Sequence, residues 1–201
     1  MRRQFLFIFV SCLLASTFLE GQVRFGGRAS VSITNLTVAH SISKSRAGFQ
    51  VGALALIPID YNDLFFFQPE IHYSAQGEYN VHPHPDGEID QKTFVSFINI
   101  PLHMKAYFTP SETEFFVELG PYIGFKVGEN IEKFDFSTEP DDEKFSSFDF
   151  GVGIGFGYSF SREFELSIRY SYGFVDLLQN DAADAVNHNS ILNFGASYII
   201  Y

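Results

Sequence analysis

Glu70, His72 and Ser74 stand at alternate positions of one segment and together hold the acid, base and hydroxyl of a hydrolase. On an extended chain their side chains share a face. They then stand ~6.6 Å apart, too far for a hydrogen bond between nucleophile and base, so a triad would have to be completed across strands. No Gly-x-Ser-x-Gly turn is present to strain a nucleophile. The expectation is therefore no enzyme, with a barrel-embedded lipid-modifying enzyme as the reading this trio would otherwise support.

Three other clusters invite ligand chemistry. His82, His84, Asp86, Glu88 and Asp90 offer ligands to a divalent cation, but the interspersed Pro83, Pro85 and Gly87 mark a surface loop more simply. Glu139, Asp141, Asp142 and Glu143 could hold calcium between lipopolysaccharide neighbours, yet they lack the spacing of an EF-hand and read as a solvated face. Gly151, Gly153, Gly155 and Gly157 are not a phosphate loop, because no helix follows and they recur at every second residue. Neither a metal nor a cofactor is expected.

The residues that carry charge sit inside stretches of strict alternation. From Phe148 to Phe160 the even positions are Phe148, Phe150, Val152, Ile154, Phe156, Tyr158 and Phe160, and the odd ones are Asp149, four glycines and Ser159. Only a strand puts neighbours on opposite faces, so one face is large and apolar and the other small or polar. The same pattern recurs at Phe25–Ile33, Phe49–Ile57, Phe65–Ser74, Ile98–Phe108, Val117–Gly128, Phe164–Gly173 and Leu192–Ile200, which makes eight strands. Short connections at Asp60–Asp63, Thr109–Thr113 and Ser161–Glu163 alternate with long polar ones near Asn35–Ser45, Gly77–Lys92, Glu129–Phe145 and Phe174–Asn189.

An even number of antiparallel strands with tight turns at one end and long loops at the other predicts an all-β, eight-stranded, up-and-down transmembrane β-barrel in the bacterial outer membrane. A soluble eight-stranded barrel is the competitor. It would have to pack the crowded Phe, Ile and Leu face into a lumen with room for far less, so that face must look at lipid.

The opposite face then lines the lumen and carries Arg28, Glu70, His72, His103, Lys105, Glu118, Lys126, Asp149 and Arg169. Counting along each strand places Arg28, Glu70, His103, Lys105, Glu118 and Arg169 at similar heights. Arg28, Lys105 and Arg169 are expected to pair with Glu70 and Glu118, while Lys126 and Asp149 fall near one another higher up. Buried charges need partners, so these residues are expected to form an ion-pair network that plugs the lumen.

Composition fits this address. Aromatic residues make up 17% of the 201-residue chain against 18% charged, and the net charge of -11 excludes a general nucleic-acid binder. A single cysteine, Cys12, excludes a disulfide framework. Arg2 and Arg3 precede an apolar run from Phe5 to Leu19, and Glu20 and Gln22 then turn polar, which is the pattern of a secretory signal over residues 1–21. That leaves residues 22–201 as the barrel domain. Cys12 lies inside the apolar run and reads as filler rather than as a lipid acceptor.

Four segments carry a family likeness: Gln68-Pro69-Glu70-Ile71-His72-Tyr73-Ser74-Ala75-Gln76-Gly77, Asn99-Ile100-Pro101-Leu102-His103-Met104-Lys105, Gly120-Pro121-Tyr122-Ile123-Gly124-Phe125 and Arg169-Tyr170-Ser171-Tyr172-Gly173. In order and spacing the chain resembles the PorT-like outer-membrane β-barrel family, small barrels similar in size to the OmpA transmembrane domain and OmpX. The resemblance implies a fold and a membrane. It departs from outer-membrane barrels generally at Tyr201, which is out of phase with the lipid-facing Leu192, Phe194 and Tyr198.

The expected function is structural support or surface interaction through long acidic extracellular loops. A narrow solute channel or porin, and a component of a protein secretion complex, are the alternatives. Expected partners are outer-membrane lipid and lipopolysaccharide, the barrel assembly machinery during insertion, and an envelope or extracellular protein met by the loops. Nucleic acid is not among them.

Overall fold

The computed structural model describes residues 23–37, 43–84, 87–131, 146–177 and 188–200. Eight antiparallel strands run in chain order: β1 Arg24–Thr37, β2 Ser43–Pro58, β3 Phe65–His84, β4 Gly87–Tyr107, β5 Glu114–Ile131, β6 Phe148–Phe160, β7 Phe164–Gly173 and β8 His188–Ile200. Each strand pairs with the next, and β1 pairs with β8 from Phe25↔Ile200 to Thr37↔His188, which closes the barrel. Closure leaves no open edge, so each strand finds its backbone partners in its two neighbours. No helix among the described residues is long and apolar enough to cross a membrane.

Alternation dictates the two faces. In β6 exposed Phe148, Phe150, Val152, Ile154 and Phe156 interleave with buried Asp149, Gly151, Gly153, Gly155 and Gly157. Leu119, Val127, Ile168, Phe194 and Ile200 extend the same apolar coat over the neighbouring strands. The polar face turns inward, where Glu70, His103, Lys105, Glu118 and Arg169 are buried.

The three tight turns are built by side chains as much as by backbone. Asp60 Oδ1 accepts from the N–H of Leu64 at 3.0 Å and of Phe65 at 2.7 Å, closing the β2–β3 turn. Glu114 Oε2 accepts from Thr109 N at 2.7 Å and closes the β4–β5 turn. The β6–β7 hairpin needs two left-handed residues, the geometry that suits the twist of a two-residue turn. Ser161 and Arg162 both adopt φ 52°.

One expectation is corrected. Residues 77–92 are not a long loop: β3 and β4 continue past the wall and pair residue by residue to His84↔Gly87. Proline at 83 and glycine at 87 mark the tip of a long hairpin, because a ladder satisfies backbone groups that a loop of this length would leave to water. His82, His84, Glu88 and Asp90 therefore lie on strands, and Asp86 falls outside the described residues. Likewise β1 and β2 extend to Thr37 and from Ser43, into the stretch expected as a loop. The signal segment with Cys12, the acidic cluster Glu139, Asp141, Asp142 and Glu143, and Tyr201 also fall outside the described residues.

The ladder is interrupted twice by an extra residue. Between Ser45↔Glu78 and Phe49↔Ala75, β2 has one residue more than β3. Between Ser96↔Gly128 and Phe97↔Lys126, β5 has one more than β4.

Candidate functional site

Three cations and three carboxylates meet in the middle of the lumen, each on a different strand from its partner. Arg169 on β7 reaches across the barrel. Its Nη2 and Nη1 donate to Glu70 Oε1 and Oε2 on β3 at 2.7 and 3.0 Å, and its Nε donates to Glu118 Oε1 on β5 at 2.8 Å. The planar guanidinium fork makes such two-sided pairing possible where an ammonium would offer a point charge. Gln68 Nε2 adds a hydrogen bond to Glu70 at 2.6 Å.

Lys105 departs from the expected pairing. It faces Glu118 in the β4–β5 ladder, yet its Nζ lies 2.5 Å from Glu165 Oε2 on β7, and Tyr107 Oη donates to the other oxygen of Glu165 at 2.6 Å. Arg28 also differs from expectation. Its Nη2 and Nη1 donate to the hydroxyls of Ser167 at 2.8 Å and Ser197 at 3.3 Å, not to a carboxylate. The physical reason is shared: Arg169 already fills the inner oxygens of Glu70 and Glu118, so Lys105 reaches Glu165 on β7, while Arg28 takes the hydroxyls on neighbouring β8 and on β7 beyond it.

The two histidines border the ionic layer. His72 Nδ1 is 3.6 Å from Glu70 Oε2 and His103 Nδ1 is 3.8 Å from Glu70 Oε1. A void of about 10 Å³, the size of one water, is bordered by both imidazoles and by Gln50, Asn99, Tyr122 and Asn193. Ser74 accepts from the amides of Gln50 at 3.0 Å and Gln76 at 2.9 Å, so it is not hydrogen-bonded to His72 and the trio Glu70, His72, Ser74 does not assemble as nucleophile and base. Glu70, His103 and Glu118 bring ligand atoms within 4.8 Å of one another, but Arg169 holds both carboxylates, and a metal ion would have to displace it.

Higher up, Lys126 and Asp149 do not pair. Lys126 Nζ lies 2.5 Å from Glu129 Oε2, three residues along its own strand. Asp149 Oδ2 accepts from Tyr122 Oη at 2.9 Å and Asn189 Nδ2 at 3.1 Å, and Asn189 also donates to Gln76 Oε1 at 2.8 Å.

Buried apolar side chains flank this polar column at both ends. At the short-turn end Leu54, Leu56, Phe66, Tyr107, Phe116 and Ile199 pack inside the barrel, with Phe66 edge-on to Tyr107 at 5.5 Å and the Lys105 ammonium 3.9 Å above the Phe116 ring. Beneath them Arg162 binds Glu114 at 2.5 Å and donates to the carbonyls of Asp63, Ser111 and Thr109, tying all three turns together. At the long-hairpin end Val95, Phe97, Ile191 and Leu177 are buried, and the Leu177 carbonyl accepts from Ser146 N at 2.8 Å.

Alternation alone did not single out Glu165, Tyr107, Glu114, Arg162 or the inward Leu56, Phe66 and Phe116. Each stands at an inward position of its strand or in a turn, so parity was an available signal for where they point but not for whom they meet.

The family model described as outer membrane protein beta-barrel domain matches residues 15–179. No curated protein matches the chain in sequence. Among solved structures, Neisserial surface protein A is similar with a TM-score of 0.50 and 13% identity, covering 88% of this chain and 96% of that one. The outer membrane protein OprG from Pseudomonas aeruginosa follows at 0.48 and 13%, covering 89% and 96%. Ail, the attachment invasion locus protein of Yersinia pestis, in complex with the heparin analogue sucrose octasulfate, gives 0.47 and 11%, covering 89% and 97%.

Proposed function

The chain belongs to the outer membrane protein beta-barrel domain family and is a small integral barrel of the outer membrane, and we propose that it is a sealed one, serving structural support or surface interaction through its extracellular loops. The observation that carries this reading is the lumen: the Arg169–Glu70–Glu118 cluster lies between an apolar floor around Phe66 and Phe116 and an apolar cap around Phe97 and Leu177. An eight-stranded interior is just wide enough for side chains to fill, which supports this reading. The long-hairpin end is taken as extracellular and the short turns as periplasmic.

Within the family, the four segments from Gln68 to Gly173 support a place near the PorT-like barrels. A signal peptide over residues 1–21, insertion by the barrel assembly machinery and contact with outer-membrane lipid and lipopolysaccharide belong to the same reading. So does a loop-borne envelope or extracellular protein partner. No catalytic role is assigned, since Ser74 is engaged by two amides rather than by His72.

The test is conductance of the unmodified, refolded protein in planar bilayers. Absence of stable openings is the expected result. Steady, size-selective conductance would overturn the plug and make the narrow channel the better reading.

A further inference from the structure

The bulge in β2 re-aims one side chain. Three residues, Arg46, Ala47 and Gly48, stand where β3 has only Gln76 and Gly77, and bulges of this kind turn a side chain away from its expected face. Arg46, which parity would send into the lumen, crosses Gly77 and stacks on exposed Phe94 of β4, its guanidinium carbon 3.8 Å from the ring centroid. Its Nη1 donates to the Gln76 carbonyl at 2.7 Å. From inside, the Thr34 hydroxyl donates to the Gly77 carbonyl at 2.7 Å and accepts from the Gly77 N–H at 3.3 Å. Gly77 has φ 144°, a conformation that few side chains tolerate. The wall is thus held on both sides in a form that presents an arginine outward.

Arg46 sits at the edge of the apolar band. It is 11 residues above Ile57, the lowest outward residue of β2. At ~3.3 Å per residue and a tilt of about 35–45°, that is a height of about 26–30 Å, against an apolar band of about 25 Å. One layer below, the outer face turns polar, where Tyr73 Oη and Ser96 Oγ are hydrogen-bonded at 2.7 Å. Among the described residues no carboxylate forms an ion pair with Arg46.

We propose that Arg46, held on Phe94, forms an anion site on the outer wall that takes a phosphate group of lipopolysaccharide in the surrounding leaflet. Nη2 and Nε remain to donate to phosphate oxygens, while the Phe94 stack and the Gln76 carbonyl hold the fork in place, so less side-chain freedom is lost on binding. The inference rests on the orientation in which the long hairpins face outward, and it is independent of whether the lumen conducts.

The test is native mass spectrometry of the full chain released from nanodiscs that contain bis-phosphorylated lipid A and phosphatidylglycerol, with the shift in gel mobility on boiling as the check that each variant is folded. Wild-type protein should retain lipid A, and Arg46→Gln should retain it roughly tenfold less, the size of one lost charge-assisted hydrogen bond. Phe94→Leu should weaken retention without touching a charge, and Arg46→Lys should restore part of it. Dephosphorylated lipid A should behave with wild type as the native lipid does with Arg46→Gln. Equal retention by wild type and folded Arg46→Gln, or equal retention with and without phosphates, would overturn the site. Retention of phosphatidylglycerol as tight as that of lipid A would overturn lipopolysaccharide as the source.

Discussion

Lys105 and Glu118 face each other in the β4–β5 ladder, yet the Lys105 ammonium reaches Glu165 on β7 at 2.5 Å and leaves Glu118 to Arg169. This ion pair is thus made across the lumen and not between the ladder partners Lys105 and Glu118. Arg169 and Glu165 both stand on β7, and through them this ten-residue strand is joined to β3, β4 and β5 across the lumen. The barrel is braced through its interior as well as around its wall.

Breaking one brace should therefore expose an unmatched buried charge. Lys105→Met leaves Glu165 with only the Tyr107 hydroxyl, and Glu165→Gln leaves an ammonium that is 0% exposed. Each is expected to cost about 3–5 kcal/mol, with the double variant costing far less than the two singles together. Glu118→Ala should lower the thermal midpoint, and Arg169→Met should lower it further, since it strands two carboxylates. Denaturant unfolding followed by the boiled and unboiled gel bands measures all of these; strict additivity of the pair would show that Lys105 and Glu165 are separately solvated.

The strands were legible because parity is local: Phe148–Phe160 states its two faces in thirteen letters, and β6 has those bounds. The hairpin beyond Gly77 was not, because Pro83, Pro85 and Gly87 carry turn chemistry whether they close a loop or cap a long ladder. The lumen residues were legible as inward, but their partners were not. Which wall Glu165 faces depends on barrel shear, which no single strand encodes. Arg46 shows the limit from the other side, since one extra residue in β2 overrides its parity.

Two glycines of one alternation should respond differently to the same methyl group. A Cβ at Gly151 would lie 2.1 Å from the Tyr172 carbonyl oxygen, which is backbone and cannot yield. At Gly153 the nearest atom would be His103 Nε2 at 2.9 Å, the end of a side chain. Gly151→Ala should prevent folding or lower the unfolding midpoint sharply, while Gly153→Ala and Gly153→Ser should be mild. Equal midpoints for the alanine variants would mean that the β6–β7 spacing is looser than described.

Ile154 is 59% exposed on the outer face. If it looks at acyl chains near the midplane, Ile154→Lys should cost about 2–4 kcal/mol in lipid vesicles. The same substitution on a water-facing barrel would be close to neutral. Comparing folded fractions across a urea series separates the two.

Orientation is tested by cysteines on whole cells. Placed at Asp86, Asp141 or Asp184 they should react with a membrane-impermeant maleimide, whereas at Asn62 or Ser111, both exposed in short turns, they should react only after lysis. The opposite pattern would turn the barrel over and put the Arg46 site in the inner leaflet of the outer membrane.

Arg162 poses the sharpest contrast between local and distant demands. Its φ of 52° is costly for an arginine, by about 1–2 kcal/mol, and glycine would suit the turn better. Yet its guanidinium binds buried Glu114 and the carbonyls of Asp63, Ser111 and Thr109, which belong to the other two turns. Arg162→Met should therefore lower stability by about 3–5 kcal/mol, because Glu114 loses its cation. Arg162→Gly should recover the backbone strain and still be less stable than the native protein. Asp63→Asn, which breaks only the half-exposed pair with Arg24 at 3.6 Å and keeps the carbonyl that Arg162 uses, should cost under about 1 kcal/mol. A glycine variant more stable than wild type would show that the three turns hold without the guanidinium between them.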